Sequence, residues 1–141
     1  MRNPDPFFTR LVPGGTCTES DLSCFLKHEH LFHEHGLAPY TAHVLSASFP
    51  SDSHLKEILH EEKGACLLYT RAFKQTADLL NSDVFPWILL KGASLWDIYP
   101  ETYLRVPEDI DILVFPADTE RAVSLLEGSG YRADVSGGPR Y

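Results

Sequence analysis

The sequence predicts an α/β (α+β) protein, with N-terminal helices over residues 1–80 and a partial mixed sheet over residues 81–141. Two observations lead there. Upstream of Asn81, apolar residues recur at three- and four-residue spacing, which is the period of a helix face. Downstream they gather in short runs, Ile88–Leu90 and Ile110–Val114, punctuated by glycine, proline and carboxylates. The change falls at Asn81–Ser82–Asp83.

In the helical half, Met1–Cys17 holds three prolines and Gly14–Gly15 and reads as an irregular lead-in. Thr18–Asp21 supplies capping residues for a first helix, with Leu22, Phe25, Leu26, Glu29 and Phe32 on one face and a stop at Gly36. His28, His30, His33 and His35 alternate with Glu29 and Glu34 on that helix. The order is not HExxH, so a polar solvated face is the reading rather than a catalytic metal. Pro39 opens a second helix that Phe49–Pro50 ends, and Ser51 or Ser53 is the expected cap of the third. Leu55, Ile58, Leu59, Glu62, Cys66, Tyr69, Phe73, Ala77 and Leu80 trace a long stripe, with Gly64 a place where it can bend or split. Cys66 is a small core residue on that stripe, since nothing nearby would activate it as a nucleophile.

Past Asp83, Pro86 suits a strand entrance, Ala93–Tyr99 gives a short helix, and Pro100–Pro107 is a loop. Asp118 caps a closing helix with Ala122, Leu125 and Leu126 inward, ended by Gly128 and Gly130.

Composition narrows the classes of function. A chain of 141 residues holds one core or two small ones. A formal charge of −8 argues against nonspecific nucleic-acid binding, which needs clustered Lys and Arg. The three cysteines, Cys17, Cys24 and Cys66, are odd in number and lack CxxC spacing, which points to a reduced, cytoplasmic setting. No export signal is visible, and the apolar runs are far too short for a membrane span.

The chemistry concentrates in Trp87–Val114. Asp109 and Asp111 stand at the start of the expected strand Asp109–Val114, where residues two apart share a face, so both point the same way and Glu108 points the other. Two adjacent carboxylates call for a positive charge between them, and oxygen ligands suit Mg2+ or Mn2+. Upstream, Lys91–Gly92 breaks the first strand before a helical turn whose free N–H groups favour a phosphate, with Lys91 and Ser94 adding a charge and a hydroxyl. Lys91 has a second use, pairing with Asp109 or Asp111. Arg105 likewise reads either as a triphosphate contact or as an ion-pair partner of Glu101, Glu108 or the aspartates. Anion cradle and carboxylate pair together describe metal-assisted phosphoryl or nucleotidyl transfer.

Lys91–Gly92, Tyr99–Pro100, Arg105, Asp109–Ile110–Asp111 and Leu113–Val114 resemble the signature of the uncharacterised nucleotidyltransferase-like proteins of the DNA polymerase beta superfold. Asp118–Tyr131 is similar to the family's closing helix and Gly-Tyr, and His35–Gly36–Leu37–Ala38–Pro39 matches more weakly, so the likeness spans about Asp21 to Arg132. The resemblance implies that Asp109 and Asp111 are the catalytic metal ligands. With the anion cradle, the expectation is that Lys91, Gly92 and Ser94 contact the phosphates with Arg105 assisting, and that a nucleoside monophosphate passes from an NTP to a hydroxyl acceptor. The resemblance also implies a third carboxylate from a later strand, for which only Asp134 remains. The expectation is therefore a nucleotidyltransferase domain truncated at its C-terminus, with a sheet edge left exposed or completed by a second copy in a homodimer. A noncatalytic nucleotide-binding relic and an abortive-infection-type toxin nucleotidyltransferase are the alternatives. The toxin signature has a paired Gly-Gly after the lysine, which this chain lacks.

Overall fold

The computed structural model describes residues 9–12 and 14–133, so Asp134 and most of the expected lead-in lie outside the described residues. Three helices come first, α1 (Glu19–Glu34), α2 (Ala38–Ser48) and α3 (Ser53–Asn81). Strand β1 (Trp87–Leu89) follows, then two 3-10 segments, Gly92–Ile98 and Thr102–Leu104. Strand β2 (Ile112–Val114), a 3-10 turn at Pro116–Asp118 and α4 (Thr119–Gly128) complete the order. Helices followed by a small sheet with a closing helix is the α+β arrangement that the change of period at Asn81 predicts.

Helices α1 and α3 begin where side chains satisfy free backbone N–H groups. Helices α2 and α4 start without a side-chain cap, so Asp118 stands at the expected place but makes no cap bond. At α1, Asp21 accepts from the Thr18 backbone N–H at 2.8 Å and from its hydroxyl at 2.7 Å. Gly36 ends the helix at φ +63°, and the Leu37 N–H returns to the Phe32 carbonyl at 2.7 Å. At α3 the cap is Asp52, whose Oδ1 accepts from Leu55 N at 2.9 Å, rather than Ser51 or Ser53. Carboxylate and hydroxyl are comparable caps, and only the approach of the chain from Phe49 selects among three adjacent candidates. The helix runs through Gly64 without a break, because packing of its apolar stripe outweighs the propensity cost of one glycine.

Two apolar clusters organise the interior. One gathers Phe25 and Phe32 of α1, Ala42, Val44 and Leu45 of α2, and Leu55 and Ile58 of α3, with Cys17 at its margin. The second joins Leu80, Phe85 and Ala122, with Trp87, Ile112, Val114 and Leu125 against it. The long α3 belongs to both, with Leu55 and Ile58 in the first and Leu80 in the second. Leu26, expected on the inner face of α1, is half exposed instead. Leu104, in what reads as a loop, is fully buried as part of its 3-10 turn against α2 and α3. Cys66 is buried, as its place on the stripe requires, and its thiol donates to the Thr102 hydroxyl at 3.6 Å.

The strands pair antiparallel with Trp87 opposite Val114, Ile88 opposite Leu113, and Leu89 opposite Ile112. Ile112 and Val114 face the second cluster, while Ile88 and Leu113 are exposed on the other side. Two short strands are marginal alone, so the sheet depends on α3 and α4 behind it. An Arg121–Asp83 ion pair and a 2.9 Å hydrogen bond between the Thr76 and Tyr131 hydroxyls tie α4 and its following turn to that support.

Helix α1 is also fixed by charge. Asp21 is buried and paired with Arg10, and the Arg10 guanidinium holds its carboxyl far below the usual aspartate range. A depressed folded pKa means that the stabilisation is complete above the unfolded aspartate value, near 4, and fades as pH falls toward the folded one. Asp21→Asn should lower stability by about 2 kcal/mol at neutral pH, a typical loss for hydrogen bonds to a charged group. Urea melts at pH 7 and pH 3 should show the variant's deficit shrinking at the lower pH. A deficit that stays constant with pH would assign the loss to packing.

Candidate functional site

The connection from β1 to β2 builds the site. After Leu89 the ladder continues one step, with Leu90 N–H donating to the Asp111 carbonyl at 3.0 Å. Gly92, at φ +69°, then turns the chain into the seven-residue 3-10 segment Gly92–Ile98. That backbone angle favours glycine, and a Cβ here would meet Pro107 at 3.0 Å and the Tyr69 hydroxyl at 3.4 Å. The return leg passes Pro107 and reaches Asp109 before pairing resumes.

The strand is therefore shorter than expected, Ile112–Val114 rather than Asp109–Val114, and both aspartates precede it. Its partner turns away at Lys91–Gly92, leaving Asp109 and Ile110 with nothing to pair against. The shared direction of the two carboxylates nonetheless holds. Lys91 Nζ lies 3.0 Å from Asp111 Oδ2 and 3.7 Å from Asp109 Oδ2. Of its two readings from sequence, Lys91 adopts the ion pair. Asp111 foremost, and then the charge of Asp109, raise its pKa above the ordinary lysine value.

Asp111 Oδ2 is shielded from solvent, and no hydrogen bond of acceptable geometry reaches it. Its neighbour is the Lys91 ammonium, at ion-pair distance. An oxygen in that state suits a hard divalent cation, and two carboxylates are enough where water and phosphate oxygens complete the shell. Among the described residues, no group of three or more His, Cys, Asp or Glu side chains is placed to hold a metal.

A cleft of about 460 Å³ opens beside this pair, lined by Lys91, Gly92, Leu95, Arg105, Pro107, Glu108 and Asp109. Glu108 and Asp109 share it because alternation of faces applies only within a paired strand. The facing wall is the end of α1, with His33, Glu34, His35 and Gly36. The sequence reading left those histidines on a solvated helix face. His33 also meets Glu29 at 3.3 Å, and Glu29 takes His54 of α3 at 2.7 Å, so one carboxylate joins two helices. That helix contact raises the His54 pKa. Ser94 lies on the same segment as Lys91, but its hydroxyl donates to the Leu90 carbonyl at 3.2 Å.

Tyr69 of α3 lies beneath the cleft and was legible from sequence only as one more position of the core stripe. Its hydroxyl donates to the Asp109 carbonyl at 3.2 Å, and its ring meets Trp96 edge-on at 5.6 Å. Trp96 in turn donates its indole N–H to the Arg105 carbonyl at 3.1 Å. The outgoing leg, the return leg and α3 are thus fastened at one point.

The model of a family described as uncharacterised nucleotidyltransferase matches residues 19–139, which is most of the chain. The chain belongs to that nucleotidyltransferase family. No curated protein and no solved structure matches it significantly. The family match takes in the α1 turn, the Lys91–Gly92 bend and the aspartate pair, and none of the described helices is long and apolar enough to cross a membrane.

The lysine between the carboxylates makes a direct test of the pair. Lys91→Met removes the ammonium and leaves two neighbouring negative charges, which should raise the affinity of the chain for free Mn2+ several-fold. Electron paramagnetic resonance titration of Mn2+ reads this without nucleotide. Unchanged Mn2+ affinity would show that the carboxylates do not act together.

Proposed function

We propose that the chain binds a nucleoside triphosphate in the cleft between the α1 turn and the β1–β2 connection, and that this site serves transfer of a nucleoside monophosphate to a hydroxyl acceptor. The observation that carries the reading is the contact of Lys91 with both Asp109 and Asp111 at the side of a cleft that also holds Arg105. Membership of a nucleotidyltransferase family supports the class of reaction.

In this reading Asp109 and Asp111 hold Mg2+ or Mn2+, while Lys91, Gly92, Ser94 and Arg105 face the phosphates. The metal, when bound, neutralises phosphate charge and orients the group in transit. Lys91 has a definite part in that exchange. Without ligand its ammonium offsets part of the charge of the two carboxylates. With a metal–nucleotide bound, Asp109 and Asp111 would hold the metal and Lys91 would be free to pair with a phosphate oxygen. Ser94 joins by turning its hydroxyl from the Leu90 carbonyl. A homodimer through the open sheet edge is the matching proposal for assembly, since an unpaired edge invites a further strand.

Calorimetry with ATP, GTP, CTP and UTP, with and without Mg2+, tests the site. Metal-dependent binding by the native chain should weaken at least about tenfold in Asp109→Asn/Asp111→Asn, as expected when charge-assisted contacts are lost. Equal binding by both proteins would remove the aspartates from the site, and transfer that survives the double substitution would overturn the mechanism.

A further inference from the structure

We infer that Gly36, at the end of α1, is a positioning residue for Arg105, because its missing side chain is the seat of the Arg105 guanidinium. A Cβ built at Gly36 would lie 2.1 Å from Arg105 Nη1 and 3.1 Å from Cζ. The first distance is far inside van der Waals contact and the second is tight, so any other residue at 36 must push the guanidinium away.

Ending a helix does not by itself demand this glycine. The positive φ of Gly36 and the return of Leu37 N–H to the Phe32 carbonyl form a common C-terminal stop, which asparagine also adopts. Seating the guanidinium is a second requirement, and asparagine does not meet it.

Arg105 is worth seating. Its backbone is held by the Trp96 indole N–H and by the fully buried Leu104 before it, so the side chain projects from a fixed base. Its guanidinium forms no ion pair with any carboxylate among the described residues. The sequence left it a choice between a carboxylate and a phosphate, and the carboxylate is not taken. Arg105 lines the cleft beside Lys91 and also an adjoining cavity of about 300 Å³ that reaches Pro39 and Glu62. A planar cation at this junction is suited to two parallel hydrogen bonds with phosphate oxygens. The helical half of the chain thereby sets the direction of an anion-binding group that the other half supplies.

This inference rests on the nucleotide reading of the cleft, and its test separates the two. The probes are the tightest-binding of the four Mg2+–NTP complexes and inorganic tripolyphosphate. Gly36→Ala, Gly36→Asn and Arg105→Ala should each raise Kd about tenfold, the size expected for one charge-assisted contact. Gly36→Asn/Arg105→Ala should bind no worse than Arg105→Ala alone, since residues acting through one contact are not additive. Gly36→Asn should melt close to the native chain, whereas Gly36→Ala, which lacks an easy route to positive φ, should melt lower. Native-like binding by Gly36→Asn, or additive losses in the double variant, would reduce Gly36 to a helix stop. If Asp109→Asn/Asp111→Asn abolishes binding and the Gly36 and Arg105 variants do not weaken it, this inference fails and the nucleotide reading stands. If the native chain binds neither probe, both fail.

Discussion

The cleft depends on one buried phenol. Tyr69 carries no chemistry of its own in the proposed site, yet its hydroxyl holds the backbone of Asp109 and lies close to Gly92, and its ring packs edge-on against Trp96. A carboxylate on a connecting loop is normally free to wander. Here the backbone beneath it is fixed to a 29-residue helix, and the ordering of the loop draws on the helix's packing. Burial also raises the Tyr69 pKa, which keeps the hydroxyl protonated and donating across the neutral range.

This arrangement explains how two halves with separate apolar clusters make one site. The helices do more than cover a sheet: α3 supplies the floor and the end of α1 supplies a wall. The carboxylates, the lysine and the arginine all come from the β1–β2 connection, and their spacing is set by residues outside it. Changes far from the charged groups, at Tyr69 or in the α1 turn, act on the same geometry as changes to those groups.

Much of the fold was legible from sequence, for a physical reason. The stripe from Leu55 to Leu80 repeats one requirement over many turns, so a local misfit such as Gly64 does not hide it. The aspartate pair was legible because two residues apart on an extended chain fixes direction even where the strand itself stops short. What escaped were contacts joining distant positions. Nothing around Tyr69 points to Asp109, forty residues on, and nothing around Gly36 points to Arg105. Leu104 escaped because it sits in a short stretch between Pro100 and Pro107 whose apolar residues follow no period. The cap of α3 escaped as well: Ser51 and Ser53 read as the candidates, and Asp52 between them does the same work.

The connection between the two strands has a consequence for how such a protein can change. It leaves the ladder beside Leu90, returns at Asp111, and is fastened in the middle at Trp96 and Leu104. The stretch between those fasteners, around Tyr99–Glu101, closes a loop whose ends are already fixed. Lengthening a flexible loop costs only about 0.6 kcal/mol for each doubling. New residues inserted there would enlarge the outer surface of the connection without moving Lys91, Arg105 or the aspartates. That surface can diversify while the charged residues stay in place.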